Sequence, residues 1–271
     1  MKYMLISTAV LLLCLAASWL ISKKIESVRK RSLWVRIVFI IDLTFLLLST
    51  AALLYFSMYY RAEAAADAAL QNSDGVTVRR ESHMLVFDGP GSENAVVFYP
   101  GAKVEAKAYA PLMKRLAEAG TDCVLLDPPL HFPLLDGNGI ERAYKLGSYD
   151  NWYIAGHSLG GTTAALYAAG HPDKVAGVIL LGAYPTSSLT ETRLLTMYGS
   201  EDRILEREEY EKRRNLWPKD AQEHVIQGGN HSGFGNYGLQ KGDGTAGISQ
   251  DAQQKETAEY IHSFVSQESK S

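Results

Sequence analysis

A serine stands between two glycines in Gly156-His157-Ser158-Leu159-Gly160, directly after the apolar run Trp152-Tyr153-Ile154-Ala155. The pattern reads as strand, sharp turn and helix, with Ser158 at the apex and Gly156 and Gly160 letting neighbouring backbone approach without a clashing Cβ. A serine hydroxyl is a poor nucleophile unless a base within hydrogen-bond reach takes its proton and a third group orients that base. Two later segments offer those groups in chain order. Asp202, in Gly199-Ser200-Glu201-Asp202, follows the apolar run 193–198; His231, in Gly228-Gly229-Asn230-His231, follows the shorter run 224–227. Asp202 is the expected acid, with Glu201 as the alternative, and His231 the expected base. The competing use of Asp202 is to cap a helix beginning near residue 204.

Attack on a carbonyl develops an oxyanion, which needs two preorganised backbone N–H donors. Leu159, the residue after the nucleophile, is one. The other comes from the loop Pro100-Gly101-Ala102-Lys103 that follows the strand Ala95-Val96-Val97-Phe98-Tyr99; Ala102 is preferred and Gly101 is the alternative. His131 and Phe132, on the loop after the strand at 122–126, are candidate pocket residues, because ligands bind beyond the C-terminal ends of strands in open α/β sheets. Phe234 is a third, with Tyr237 and Gln240 beside it in a glycine-rich stretch. His157 is expected to point away from Ser158 and to pack, and Asp127 precedes the serine and so breaks the order. The seven histidines show no paired His or Cys spacing, so neither a metal site nor a cofactor is expected. Cys14 and Cys123 are not expected to pair, and Cys123 reads as a small core hydrophobe.

The elements that must carry these groups alternate as βαβ units do. Strands are expected over 76–80, 84–88, 95–99, 123–126, 152–155, 175–181 and 194–198, with helices over 108–118, from 139 to about 146, and behind Ser158. Only a short connection separates the strands at 175–181 and 194–198, so a large lid has no room there and the site is expected to be open and shallow.

These segments together resemble the α/β-hydrolase superfamily, and most its compact, dienelactone-hydrolase-like members. The resemblance rests on Tyr99-Pro100-Gly101-Ala102, Gly156-His157-Ser158-Leu159-Gly160-Gly161, Gly199-Ser200-Glu201-Asp202 and Gly229-Asn230-His231, and covers residues 74 to 268. It implies a mostly parallel sheet with helices on both faces and hydrolysis of an ester-like bond. Two departures stand out: Pro100 occupies a position where many relatives carry histidine, and Ser158 replaces the cysteine of the dienelactone hydrolases proper, which argues against dienelactone as substrate.

The N-terminal part differs in kind. Residues 3–22 and 37–60 are almost wholly apolar, each about long enough to span a ~30 Å hydrocarbon core. Lys23, Lys24, Arg29, Lys30, Arg31 and Arg36 lie between them with one acid, Glu26. A short loop so rich in cations stays cytoplasmic, which puts both termini on the other side. The expected organisation is therefore two transmembrane helices with a basic loop 23–36 within residues 1–61, a stalk over 62–73, and a hydrolase domain over 74–271 outside the cytoplasm. A signal peptide is the rival for the first segment, but the apolar run continues past Ala16-Ala17-Ser18. Tyr55, Tyr59 and Tyr60 suit an interfacial aromatic belt, and Asp42, near the cytoplasmic end, reads as structural.

A net charge of −3, more negative still without the basic loop, argues against nucleic acid as a partner. The expectation is a multi-pass cell-membrane protein whose domain cleaves a small-molecule carboxylic ester through an acyl-enzyme. A silent domain acting as a membrane-tethered binding module is the rival from another class. A lipase, peptidase or thioesterase using the same three residues is the enzymatic one.

Overall fold

Strands buried on both faces need apolar side chains at consecutive positions, because alternate residues point to opposite sides of a sheet. The runs Val96-Val97-Phe98, Val124-Leu125-Leu126 and Val178-Ile179-Leu180-Leu181 meet that requirement, and all are buried. In the computed structural model, which describes residues 2–73, 75–91, 93–147 and 149–267 with side chains from Val10 onward, they lie in one sheet. The chain divides into two compact units, Met1–Met58 and Tyr59–Ser271.

The first unit holds α1 (Lys2–Lys24), α2 (Glu26–Arg29) and α3 (Leu33–Ser57). Within it α1 and α3 pack together, and Ser18 Oγ accepts from Thr44 Oγ1 at 2.9 Å while donating to the Cys14 carbonyl at 2.8 Å. Leu12, Leu13, Phe45, Leu46, Leu53 and Leu54 are exposed on the outer faces, as is Asp42. Among the described residues one helix, α3, is long and apolar enough to cross a membrane; a signal sequence passes the same test.

The second unit begins earlier than the sequence suggests. Tyr59 and Tyr60, expected at the end of a membrane helix, belong to it: Tyr60 N–H donates to the Lys103 carbonyl at 2.7 Å, and its own carbonyl accepts from Glu105 N–H at 2.9 Å. Residues 62–73, read from sequence as a stalk, fold into the same unit. There α4 (Ala64–Ala69) buries Ala66 and Ala69 against α5 (Ala110–Glu118), a consequence of small residues at i and i+3 that no local signal distinguishes from an exposed spacer.

The strands are β1 (Thr77–Glu81), β2 (Met84–Asp88), β3 (Asn94–Tyr99), β4 (Asp122–Leu126), β5 (Asn151–His157), β6 (Gly177–Leu181), β7 (Arg193–Gly199) and β8 (Gln222–Ile226). They form an eight-stranded sheet in the order β1-β2-β4-β3-β5-β6-β7-β8, antiparallel at β1/β2 and β2/β4 and parallel elsewhere. The remaining helices are α6 (Ile140–Ala143), α7 (Leu159–Gly170), α8 (Arg207–Lys212) and α9 (Gln250–Ser266). One face of the sheet packs Val96, Phe98, Ile179 and Leu195 against Leu112, Met113 and Leu116 of α5 and Ile261 and Phe264 of α9. The other packs Val97, Ile154, Val178 and Leu180 against Ala164, Ala165 and Ala168 of α7 and Ile140 and Ala143 of α6.

The helix expected over 139–146 is a single turn at Ile140–Ala143, and the one expected near residue 204 starts at Arg207. Sequence reasoning missed α9. Its buried positions, Gln253, Gln254, Thr257, Ala258, Ile261, Phe264 and Val265, do follow a helical period, but polar residues fill its first turns. Ser249 caps it, accepting from Ala252 N–H at 3.1 Å.

Candidate active site

Parallel strands point the same way, so the loops that follow β3, β5, β7 and β8 gather at one end of the sheet. The register brings them level: Tyr99 pairs with Gly156, His157 with Leu181, and Gly199 with Ile226. Every residue read from the sequence as nucleophile, acid, base or oxyanion donor lies on those four loops.

Ser158 links β5 to α7 at φ 54° and ψ −125°, a backbone conformation that a side chain other than hydrogen adopts only under strain. The strain is tolerated because the turn is tightly packed. A Cβ on Gly156 would lie 2.4 Å from the Gly160 carbonyl group, and one on Gly160 would lie 2.2 Å from the Tyr99 carbonyl oxygen. Ser158 N–H donates to the Leu181 carbonyl at 2.9 Å, tying the turn to β6. Ser158, Leu159 and Ala102 are partly exposed, whereas Asp202 and His231 are buried, so access to the group is from the serine side.

His231 Nδ1 and Asp202 Oδ2 are 2.8 Å apart with both side chains out of contact with solvent. The other carboxylate oxygen, Oδ1, accepts from Ile204 N–H at 2.9 Å and Leu205 N–H at 2.8 Å. Asp202 thus faces His231 with one oxygen and holds the turn at 204–205 with the other, although the helix expected there begins only at Arg207. Glu201 does not share this contact; its carboxylate accepts from Ser200 Oγ at 3.2 Å. His231 Nε2 is buried and has no hydrogen-bond partner among the described residues.

The Gly101 N–H donates to the Tyr109 hydroxyl at 3.1 Å, whereas the Ala102 N–H has no acceptor among the described residues. Of the two alternatives in that loop, Ala102 alone keeps an N–H available. The loop is held from outside as well, since Lys103 N–H donates to the His131 carbonyl at 2.7 Å and Tyr60 pairs in parallel with Val104.

The pocket expectations fare differently. His131 lies against Tyr59 with ring centroids 4.0 Å apart and the planes tilted by 39°, and it and Phe132 are partly exposed. Phe234 is not a pocket wall: it is fully buried and packs its ring 5.5 Å from that of His157, because the chain after His231 turns inward under α9. Tyr237 is also buried, with its hydroxyl held well above the usual phenol range by desolvation. No helix stands between β6 and β7 among the described residues, in line with the short connection read from the sequence. No cluster of three or more potential metal ligands occurs among the described residues.

Residues that sequence reasoning missed hold the His231 loop. Asp243 accepts from Ser232 N–H at 2.8 Å, Ser232 Oγ at 2.6 Å and His231 N–H at 3.3 Å. Gln253, buried on α9, accepts from Asn230 N–H at 3.0 Å and donates to the Asn230 carbonyl at 2.8 Å. Asn230 in turn donates to the Gly244 carbonyl at 2.8 Å and accepts from Gly233 N–H at 2.9 Å. His157, expected to be a packing residue, is indeed buried, but what it packs against is His231, at 4.4 Å between ring centroids. Burial, and then the neighbouring His231, hold its pKa well below the usual imidazole range.

Comparison with known proteins points the same way. The model of the alpha/beta hydrolase family matches residues 95–255. A protein of Mycobacterium phage D29 whose name describes a non-heme haloperoxidase is 37% identical over an alignment of 103 residues that covers 34% of this chain; the chain spans 37% of that relative's length. A thermostable esterase from Pseudomonas putida ECU1011 superposes with a TM-score of 0.53 at 13% identity, covering 75% of this chain and 88% of the esterase. A CIB-like hydrolase from Thermoplasma acidophilum gives a TM-score of 0.52 at 14% identity, covering 70% of this chain and all (100%) of the other. At such identities the two structures speak for the fold alone.

Proposed function

The chain belongs to the alpha/beta hydrolase family, and we propose that it is a membrane-anchored serine hydrolase that cleaves carboxylic esters. The observation that carries this reading is the buried Asp202 and His231 pair, 2.8 Å apart, with His231 Nε2 left unpartnered at the sheet end where Ser158 stands on its strained turn. A buried imidazole nitrogen with no partner is costly unless something is meant to approach it.

Ser158 Oγ attacks the ester carbonyl and its proton passes to His231 Nε2. Asp202 holds the tautomer in which Nε2 is free to accept and stabilises the imidazolium without taking the proton. The N–H groups of Leu159 and Ala102 receive the oxyanion. Collapse breaks the C–O bond to the alcohol, which leaves with the proton from Nε2, and Ser158 stays acylated. Water then loses a proton to Nε2 and attacks the acyl carbon; the carboxylic acid leaves and Ser158 regains its proton. The absence of a helical lid between β6 and β7 among the described residues favours small or surface-presented esters over a long acyl chain held in a tunnel.

The anchoring half of the reading rests on the apolar α3 and on the cations at 23–31 that precede it, which favour a cytoplasmic loop and a domain on the opposite side. The test is labelling of membranes containing the full-length protein with a fluorophosphonate probe, for wild type, Ser158→Ala and His231→Ala. Labelling that requires both residues supports the reading, and a folded wild type that does not label removes it. A reporter fused after Ser271 that is active only in the cytoplasm would overturn the orientation.

A further inference from the structure

The loop carrying Ala102 follows β3, and the loop carrying His231 follows β8. Between those strands in the sheet lie β5, β6 and β7, so the sheet connects the two loops only through three intervening strands. A single tetrahedral centre needs both at once. Its oxygen must lie ~2.7–3.1 Å from the donors, and its base within ~2.6–3.2 Å of the proton it takes.

A direct connection between the loops passes through Tyr109, fully buried at the end of the 3₁₀ turn Ala106–Tyr109. Its hydroxyl accepts the Gly101 N–H at 3.1 Å and lies 2.7 Å from His157 Nδ1. The phenol oxygen therefore serves both groups at once, accepting from Gly101 and sharing one hydrogen bond with Nδ1. The His157 ring rests against that of His231, 4.4 Å between centroids and tilted by 48°. Phe234, Tyr109 and Tyr237 surround it at 5.5, 5.7 and 6.5 Å, so it has no room to turn. The same turn is bonded to the far loop through its neighbour, where Asn236 N–H donates to the Ala108 carbonyl at 2.7 Å.

We propose that Tyr109 and His157 are positioning residues, forming a strut that fixes the oxyanion loop at Gly101 and the base at His231 to one spacing. The inference rests on the reading of Ser158, His231 and Asp202 as the reacting set. Tyr109 grips the peptide immediately before Ala102, and His157 supplies the face on which the His231 ring sits. The low proton affinity of His157 suits this use, since a neutral ring can lie beside His231 while His231 carries the proton. A displacement of about 1 Å in such a set lowers reactivity on the order of a hundredfold.

The test uses the full-length protein in membranes and compares the fluorophosphonate labelling rate, and kcat and KM for p-nitrophenyl acetate, with the thermal midpoint of each variant. Wild type and Ser158→Ala set the scale. Tyr109→Phe and His157→Leu are expected to slow labelling at least ~10-fold and to lower kcat with little change in KM. The double variant discriminates, because it leaves neither an unpaired imidazole nor an unpaired phenol hydroxyl, and only the Gly101 N–H without its acceptor. A strut predicts that it is more stable than Tyr109→Phe alone yet stays as slow as the slower single variant. Folded single variants that label at the wild-type rate, or a double variant that recovers the wild-type rate, would overturn the strut while leaving the hydrolase reading intact. A wild type that labels no faster than Ser158→Ala would remove both. If Tyr109→Phe fails to fold, His157→Leu carries the same comparison.

Discussion

Gly182 lies so close to His231 that a Cβ there would stand 2.9 Å from the imidazole Nδ1 and 3.2 Å from Asp202 Oδ2, at a backbone φ of 53°. The glycine is needed on both counts, for its left-handed backbone and for the space it leaves. A methyl group there would push between His231 and Asp202. Gly182→Ala should therefore lower the fluorophosphonate labelling rate on the order of a hundredfold. Gly170→Ala, where an added Cβ meets nothing within 4 Å, should change nothing. Equal rates for the two variants would show that the observed spacing is not needed for reactivity.

The division of labour within Asp202 separates orientation from folding. Asn at 202 keeps an acceptor for the Ile204 and Leu205 N–H groups but replaces the oxygen facing His231 Nδ1 with a donor, which forces the wrong tautomer. Asp202→Asn should therefore cost about 10⁴-fold in kcat, the size of this change in other Ser-His-Asp enzymes, with a near-wild-type thermal midpoint. Asp202→Ala should lose the activity and also ~1–3 kcal/mol of stability, because two N–H groups in a buried turn lose their acceptor. Glu201→Gln should do neither. Unfolding curves measured beside ester turnover check all three, and an active Asp202→Asn would move the acid role elsewhere.

How much of this was legible in the sequence follows from which interactions are local. The turn at Ser158, its flanking glycines and the apolar runs that become β3 to β7 announce themselves within a few residues, because strand burial and turn geometry are decided there. The choice between Gly101 and Ala102 was not legible, since it depends on Tyr109, which approaches through a fold-dependent turn. The start of the second unit was hidden for the same reason: the backbone pairing of Tyr60 with Val104 leaves no mark on composition. Phe234 was misplaced because an aromatic residue in a glycine-rich loop looks the same whether it lines a cavity or plugs a core. The amides of α9 were invisible as supports because Gln253 and Gln254 read as solvent-facing until their partners, the Asn230 backbone and Asn236, are known.

Gln253 is the support with the largest expected consequence. It satisfies both backbone groups of Asn230, the residue before the base, and it is almost fully buried. Gln253→Leu would fill nearly the same volume while leaving a buried N–H and a buried carbonyl unpaired, at ~1–3 kcal/mol each. The thermal midpoint should fall and labelling should slow together, since the loop that moves carries His231. Gln254→Leu should destabilise with a smaller effect on labelling, because its contacts fall on Gly233 and Asn236, beyond the base. Preserved labelling in a destabilised Gln253→Leu would mean that the position of His231 is set elsewhere.

His157 should make stability depend on pH in a defined direction. Its pKa in the folded protein is well below the imidazole value because it is buried and, secondarily, because His231 faces it. The unfolded chain therefore binds a proton at this site more readily than the folded one once the pH falls below about 6.5. Stability from this group is complete above that pH and declines as the pH drops toward the folded-state value, by up to ~1.4 kcal/mol per pH unit. The other groups at the site, His231 with its Asp202 partner and the Tyr109 and Tyr237 hydroxyls, remain in a His157→Leu variant, so their contributions cancel in the comparison. Thermal midpoints measured between pH 8 and pH 5 should fall more steeply for wild type than for His157→Leu. Parallel slopes would mean that His157 is no harder to protonate in the fold than in the free chain.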